Sequence, residues 1–188
     1  MTARWVVDVV KPERDLEVTW QPISLFLKNE PEPGSKAHDR YFHTHRLLRV
    51  MESVGATSGN DASFEFYWEL GRRIHHDQTL EVSAAEVLDG AGLDPSHAAA
   101  YDDESWDALI QKKMNAGLEL VGDDVGTPII GFDTPTGKQG FFGPIITRAP
   151  QGDDGLALWD SMVTMARMEG FWELKRTRTE QPDFGERP

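Results

Sequence analysis

The sequence predicts an α/β chain whose small sheet is interrupted by a long helical block. Three observations carry this reading. Leu16-Glu17-Val18-Thr19-Trp20-Gln21 alternates apolar and polar residues, as a half-buried strand does. Thr127-Pro128-Ile129-Ile130-Gly131-Phe132 is a short apolar run opened by proline, and a turn-rich segment leads from it to a second short run, Gln139-Gly140-Phe141-Phe142-Gly143-Pro144. Between them, from Lys36 to Val121, apolar residues recur at helical spacing and strand signals almost vanish.

The elements follow in order. Residues 1–10 read as helix, with Trp5, Val6, Val9 and Val10 on one face and Pro12 closing it. No N-cap residue precedes this helix, so it reads as a piece of a longer one, with Met1 in an internal position. The strand at Leu16 to Gln21 is apolar on one side only, which places it at or near a sheet edge. Pro31-Glu32-Pro33-Gly34-Ser35 is a loop. Helices are then predicted from His38 to Val54, from an Asp61 or Ser63 cap through Phe64, Tyr67, Trp68, Gly71, Ile74 and His75, and from Ser83, whose Ser-Ala-Ala-Glu pattern forms a capping box. Asp94-Pro95 starts another turn of helix. Asp103 or Ser105 starts a longer helix bearing Trp106, Leu109, Ile110, Met114, Leu118 and Val121. Proline has no N–H for a ladder, so Pro128 must stand first in its strand. It also follows the one kind of peptide bond where cis is inexpensive; local sequence leaves cis and trans both open. Asp153 or Asp154 caps a final helix carrying Leu156, Trp159, Met162, Val163 and Ala166, and residues 176–188 form a polar tail.

Composition narrows the function. A chain of 188 residues with 19 Lys and Arg against 32 Asp and Glu has a formal charge of −13. Phosphate backbones and anionic membrane surfaces require basic patches, so neither is an expected partner. No apolar run reaches membrane-spanning length and no signal peptide is visible, which points to the cytoplasm. The chain has no cysteine, which removes disulfides, thiolate metal sites and thiol chemistry by its own residues.

Few residues suggest chemistry locally. His43-Thr44-His45 and His75-His76 lie at spacings that do not share a helical face, and no further ligand stands at a metal-site interval, so no metal is expected. His75 reads either as a core histidine on the Phe64, Tyr67 and Trp68 stripe or as a site residue. Asn29 reads either as a turn-holding asparagine or as a pocket residue. Phe141, Phe142 and Pro144 read as core. No G-x-S-x-G elbow supports serine hydrolysis and no G-x-x-x-x-G-K loop supports phosphate binding.

Several motifs in order, Val125-Gly126-Thr127-Pro128, then Phe141-Phe142-Gly143-Pro144, then Phe171-Trp172-Glu173-Leu174-Lys175-Arg176-Thr177-Arg178-Thr179-Glu180, resemble the actinobacterial DsbA-like proteins called mycothiol-dependent nitroreductases. The resemblance runs through nearly the whole chain. It implies a thioredoxin-like α/β sheet with a large inserted helical domain, lacking its first strand and its CxxC motif. Residues 1–30 and 123–175 would be the thioredoxin-like part, 31–122 the helical insertion and 176–188 the tail. It implies a cis bond at Thr127-Pro128, facing a Cys-Pro-Trp-Cys motif at the head of the first helix; here Met1 and Thr2 stand at that head. It implies substrate contacts at Thr127, Pro128, at His75 in Arg73-Ile74-His75, and at Asn29 in the segment from Ser24-Leu25 to Asn29-Glu30. Mycothiol would be the thiol cosubstrate, with no cofactor bound.

A thiol–disulfide exchange needs a thiolate, and a threonine hydroxyl without a neighbouring base is a poor substitute. The resemblance therefore predicts an oxidoreductase lineage with no redox activity in the chain as given. The alternative is a non-catalytic module that holds a thiol or a peptide. A third possibility is a homodimer in which a partner strand fills the vacant place in the sheet.

Overall fold

The computed structural model describes every residue from 1 to 188 except Leu80. The described chain divides into two units, one formed by Met1–Val18 and Ala116–Gly185, the other by Thr19–Asn115 and Glu186–Pro188.

The first unit begins with helix α1 (Thr2–Trp5), which continues without a break as a π-helical turn, Val6–Val10. The wider register is visible in the hydrogen bond from Lys11 N–H to the Val6 carbonyl at 2.8 Å, five residues back. Trp5, Val6, Val9 and Val10 are all buried, the face the sequence predicts. Strands β1 (Ile129–Thr134) and β2 (Gly137–Phe142) pair antiparallel, with Ile129 opposite Phe142 and Thr134 opposite Gly137. The turn is tighter than its run of turn-forming residues suggests: only Pro135 and Thr136 lie between the paired ends. Proline fixes φ for the first turn position. Gly137 at φ +117° supplies a backbone conformation that side chains disfavour. Helix α7 (Gly152–Ala166) completes the unit. Its N-cap is Gln151, two or three residues before the expected cap, and Asp153 and Asp154 sit in the first turn, where their charge complements the helix dipole.

One apolar cluster holds these parts together: Trp5, Val6, Val9, Val10, Phe132, Trp159, Met162 and Ala166. Trp5 and Trp159 meet edge to face at 6.0 Å, and Phe132 leans on Trp159 at 5.5 Å. The Trp5 indole donates its N–H to the Gly155 carbonyl at 3.2 Å, so the ring is both packed and satisfied.

The second unit is helical. It contains α2 (Leu25–Asn29), α3 (Lys36–Ser58), α4 (Asn60–His75) and α5 (Ala84–Gly90), then two 3-10 turns, Pro95–Asp102 and Glu104–Trp106. Helix α6 (Asp107–Leu118) follows and crosses the division between Asn115 and Ala116. Its core is separate: Leu47, Val50, Met51, Val54, Phe66, Val82, Val87, Leu88 and Ala100. Two caps differ from expectation. Gly59 at φ +87°, not Asp61 or Ser63, precedes α4, because α3 runs on to Ser58 and glycine can make the abrupt reversal. Ser83 precedes α5 without a side-chain cap bond.

Residues 15–24 form no strand, contrary to the alternation at Leu16 to Gln21. The sheet has two strands among the described residues, β1 and β2. The alternation still reports burial. Leu16 and Val18 pack against the first unit's core, and Trp20 packs against the second's. A segment divided between two cores shows period two without a ladder.

The tail from Arg176 carries no regular helix or strand, yet part of it is fastened. Asp183 N–H donates to the Thr147 carbonyl at 2.8 Å, and Arg148 faces both Glu180 and Asp183.

Candidate functional site

In the first unit, the Thr127–Pro128 and Gly143–Pro144 peptide bonds are both cis. The two prolines stand at the same end of the hairpin, because Ile129 pairs with Phe142. Gly143 N–H donates to the Pro128 carbonyl at 2.8 Å, which extends the pairing past the last ladder residues. The Pro144 carbonyl in turn accepts from the Thr2 hydroxyl at 2.8 Å. Thr2 is buried at the head of α1. Two hydrogen bonds and one peptide thus join Pro128 to the start of the first helix. Thr127 is exposed and Pro128 half-buried, so the entry to β1 faces solvent on one side while the Pro128 carbonyl is tied through Gly143 and Pro144 to the helix head. Phe141 and Pro144 belong to the packed interior or its margin, but Phe142 is 43% exposed and is not core.

The other two expected site residues lie in the second unit. Asn29 is the last residue of α2 and is exposed; Glu30, at φ +42°, ends the helix in a left-handed conformation. His75 is the last residue of α4 and is exposed, so it is not a core histidine. Partial burial of its ring lowers its pKa below the ordinary value, which favours neutral imidazole at pH 7. The structure therefore brings Thr127 and Pro128 together on one unit and places Asn29 and His75 on two helices of the other.

One polar chain was not visible from sequence motifs. Ser24 caps α2, its Oγ accepting from Leu27 N–H at 3.1 Å, and the same Oγ lies 2.9 Å from His45 Nδ1. His45 Nε2 lies 3.0 Å from Asp107 Oδ1. Arg49 grips Asp107 with both edges of its guanidinium, Nε to Oδ1 at 2.6 Å and Nη2 to Oδ2 at 2.7 Å. An ionised Asp107 accepts a hydrogen bond from Nε2–H, so Nδ1 accepts from the Ser24 hydroxyl. Burial pushes the Asp107 carboxyl up, but Arg49 and His45 outweigh it and hold the group below the usual carboxylate range. Burial outweighs Asp107 at His45 and lowers that histidine.

The order serine, histidine, aspartate resembles a hydrolytic triad, but access decides against it. Ser24 and His45 are each 1% exposed, and the Ser24 oxygen is already committed to the helix cap. This chain positions α2, the helix that ends at Asn29. The sequence signal was present in Ser24 as a cap before an apolar stretch; its partners are 21 and 62 positions apart along the relay and had no local spacing to announce them.

The adjacent histidines diverge as helical geometry requires. His43 Nδ1 meets the Tyr101 hydroxyl at 2.6 Å, whereas His45 faces Ser24 and Asp107. Among the described residues no cluster of three or more His, Cys, Asp or Glu is placed to hold a metal ion. No helix among them is long and apolar enough to cross a membrane.

A family model described as "Rv2466c-like: Mycothiol-dependent nitroreductase Rv2466c" matches residues 1–176 of the 188.

Proposed function

This chain belongs to the Rv2466c-like family of mycothiol-dependent nitroreductases, and on that premise we propose that it holds a thiol cosubstrate of the mycothiol type on its first unit without supplying the sulfur nucleophile itself. That unit is read as a thioredoxin-like half and the helical unit as its insertion, acting in the cytosol. The supporting observation is the linkage from exposed Thr127 through Pro128, Gly143 and Pro144 to Thr2 at the helix head. Backbone at the mouth of a strand offers an N–H and a carbonyl to an extended ligand, as in strand addition. The thiol of the ligand would lie toward the head of α1. In a chain with no cysteine, Thr2 occupies that head, and its hydroxyl is already donated to Pro144. A hydroxyl whose proton is held by a peptide carbonyl is not activated as a nucleophile by that bond. His75 and Asn29, on the helical unit, are read as substrate-binding residues of that unit.

The test pairs binding with turnover. Isothermal titration of mycothiol into the 188-residue chain is expected to show binding, and Thr127→Trp, at an exposed position, is expected to abolish it with an unchanged thermal midpoint. Mycothiol and a nitroarene together are expected to give no thiol-dependent nitro reduction. Turnover comparable to that of cysteine-bearing relatives would overturn the account of the nucleophile, and mycothiol binding untouched by Thr127→Trp would overturn the account of the site.

A further inference from the structure

The tail after helix α7 is exposed almost throughout, with one exception. Among residues 172–188 only Phe184 is not exposed. An apolar ring drawn out of water in a polar, irregular segment marks an anchor, because its burial offsets the entropy lost in ordering the chain around it. The backbone beside it is fastened as well. Asp183 N–H donates to the Thr147 carbonyl at 2.8 Å, and the Phe184 carbonyl accepts from Arg4 Nη1 at 2.6 Å. Gly185 N–H donates to Asp183 Oδ1 at 3.1 Å, and Gly185 stands at φ +63°, so the chain turns sharply just past the ring. Residues 183–185 therefore form a hook. It lies wholly within the first unit and beyond residue 176, where the family match ends.

The hook is clasped to the two segments that the Thr2–Pro144 bond also joins. Thr147 is three residues beyond Pro144, and Arg4 is two beyond Thr2 in α1. Positions two apart on a helix do not share a face. The head of α1 is thus held from two directions, Thr2 by the Pro144 carbonyl and Arg4 by the Phe184 carbonyl. Arg4 also donates from Nε to Asp8 Oδ2 at 3.3 Å. The remaining ties of the tail are weak. Arg148 approaches Glu180 and Asp183 at 3.9 and 3.5 Å, but all three side chains are exposed, and such pairs contribute little. One ring and two hydrogen bonds suffice for a tethered segment, which rebinds at an effective concentration on the order of millimolar. They are also few enough for a ligand to displace.

We propose that residues 183–185 are an autoinhibitory hook for the thiol site of the first unit. The hook keeps Arg4, the cation of α1, on the Phe184 carbonyl. A thiol that enters toward the head of α1 displaces the hook and takes that guanidinium N–H. A neutral carbonyl is a weaker acceptor for a guanidinium than an anionic sulfur, so the exchange favours a ligand bound as thiolate. Occupancy of the site and a fastened tail are then mutually exclusive. The inference rests on the reading of the Thr127 site for its ligand, whereas the hook itself stands on the contacts of the tail.

The test uses the 188-residue chain with mycothiol as probe. Titration calorimetry is expected to give at least fivefold tighter binding for Phe184→Ala than for wild type. Gly185→Val reaches the same hook through the backbone, because a β-branched residue resists φ +63°, and should shift binding in the same direction. It carries the test if Phe184→Ala fails to fold. Leu174→Ala, at an 80% exposed position outside the hook, should bind as wild type does. Amide hydrogen exchange separates displacement from a merely structural role. Saturating mycothiol is expected to speed exchange of the Asp183 N–H at least tenfold in the wild-type chain and to leave it unchanged in Thr127→Trp. Equal or weaker binding by the folded hook variants, or an Asp183 amide that stays protected when mycothiol is bound, would overturn the hook and leave the Thr127 site standing. Mycothiol binding by none of these chains would overturn the site and the hook together, so the two failures are separable.

Discussion

Single residues in this chain show how much of a site depends on what no motif records. Gly155 sits near the start of α7 against the π-helical turn. A Cβ there would lie 2.7 Å from the Pro150 carbonyl oxygen and 2.8 Å from Val9 Cγ1. A carbonyl oxygen in the backbone and a β-branched side chain in a packed core have little room to move. Gly155→Ala is therefore expected to destabilise the chain by about 1–3 kcal/mol through overpacking, despite alanine's better helix propensity. Urea unfolding followed by tryptophan emission would check this; a midpoint equal to or above wild type would mean the helix moves aside freely. At this scale the sequence was legible wherever a residue's role is local. Trp5, Val6, Val9 and Val10 were read as one buried face and are one. His45, Arg49 and Asp107 were not read as a group, because their link is made by packing between helices and not by spacing.

At the level of elements, the anchoring of α2 depends on protonation. The Ser24 cap is held by neutral His45, and burial keeps that histidine below its ordinary pKa of 6.5. The unfolded chain takes up this proton near pH 6.5 and the folded one only at lower pH, so the unfolded state binds more protons in between. The stabilisation contributed by neutral His45 is fully present above pH 6.5 and is lost as pH falls through the lowered folded value. His43 and His75 are also lowered by burial and act in the same direction. The free energy of unfolding should therefore decline from pH 7.5 to pH 5.5, and His45→Gln should decline less steeply over that range. Parallel curves for the two proteins would remove His45 from the account. Element types were largely legible: the hairpin, the helical block and the last helix all form from the segments predicted. The strand at Leu16 to Gln21 failed for a physical reason, since its apolar residues serve two cores instead of one sheet face.

For the molecule as a whole, charge is the dominant property that sequence alone determines. A net charge of −13 opposes compaction through mutual repulsion among carboxylates. Salt screens such repulsion beyond roughly 10 Å at 0.1 M. It also weakens exposed ion pairs, including the forked contact of Arg14 with Asp160 at 3.0 and 2.7 Å, but exposed pairs contribute at most about 1 kcal/mol each. The thermal midpoint is accordingly expected to rise between 10 mM and 0.5 M sodium chloride; a fall would show that the ion pairs outweigh the surplus. The resemblance implies a thioredoxin-like part at residues 1–30 and 123–175, a helical insertion at 31–122 and a tail at 176–188. The observed divisions are at Val18 and Asn115. Helical periodicity continues through α6 across the second of these, so the sequence offers no composition change to mark it.

The π-helical turn at Val6–Val10 has a consequence for engineering the helix that bears Thr2. A widened turn accommodates one residue more than an α-helix needs over the same length. Deleting one valine from that turn is therefore expected to restore ordinary winding and leave the helix head facing as it does now, with the Thr2 hydroxyl still bonded to Pro144. A further inserted residue finds no such slack and turns the head by about 100° relative to the buried valines. The aim of the helix head is thus set by residue count within a run of valines, independently of any residue at the head itself.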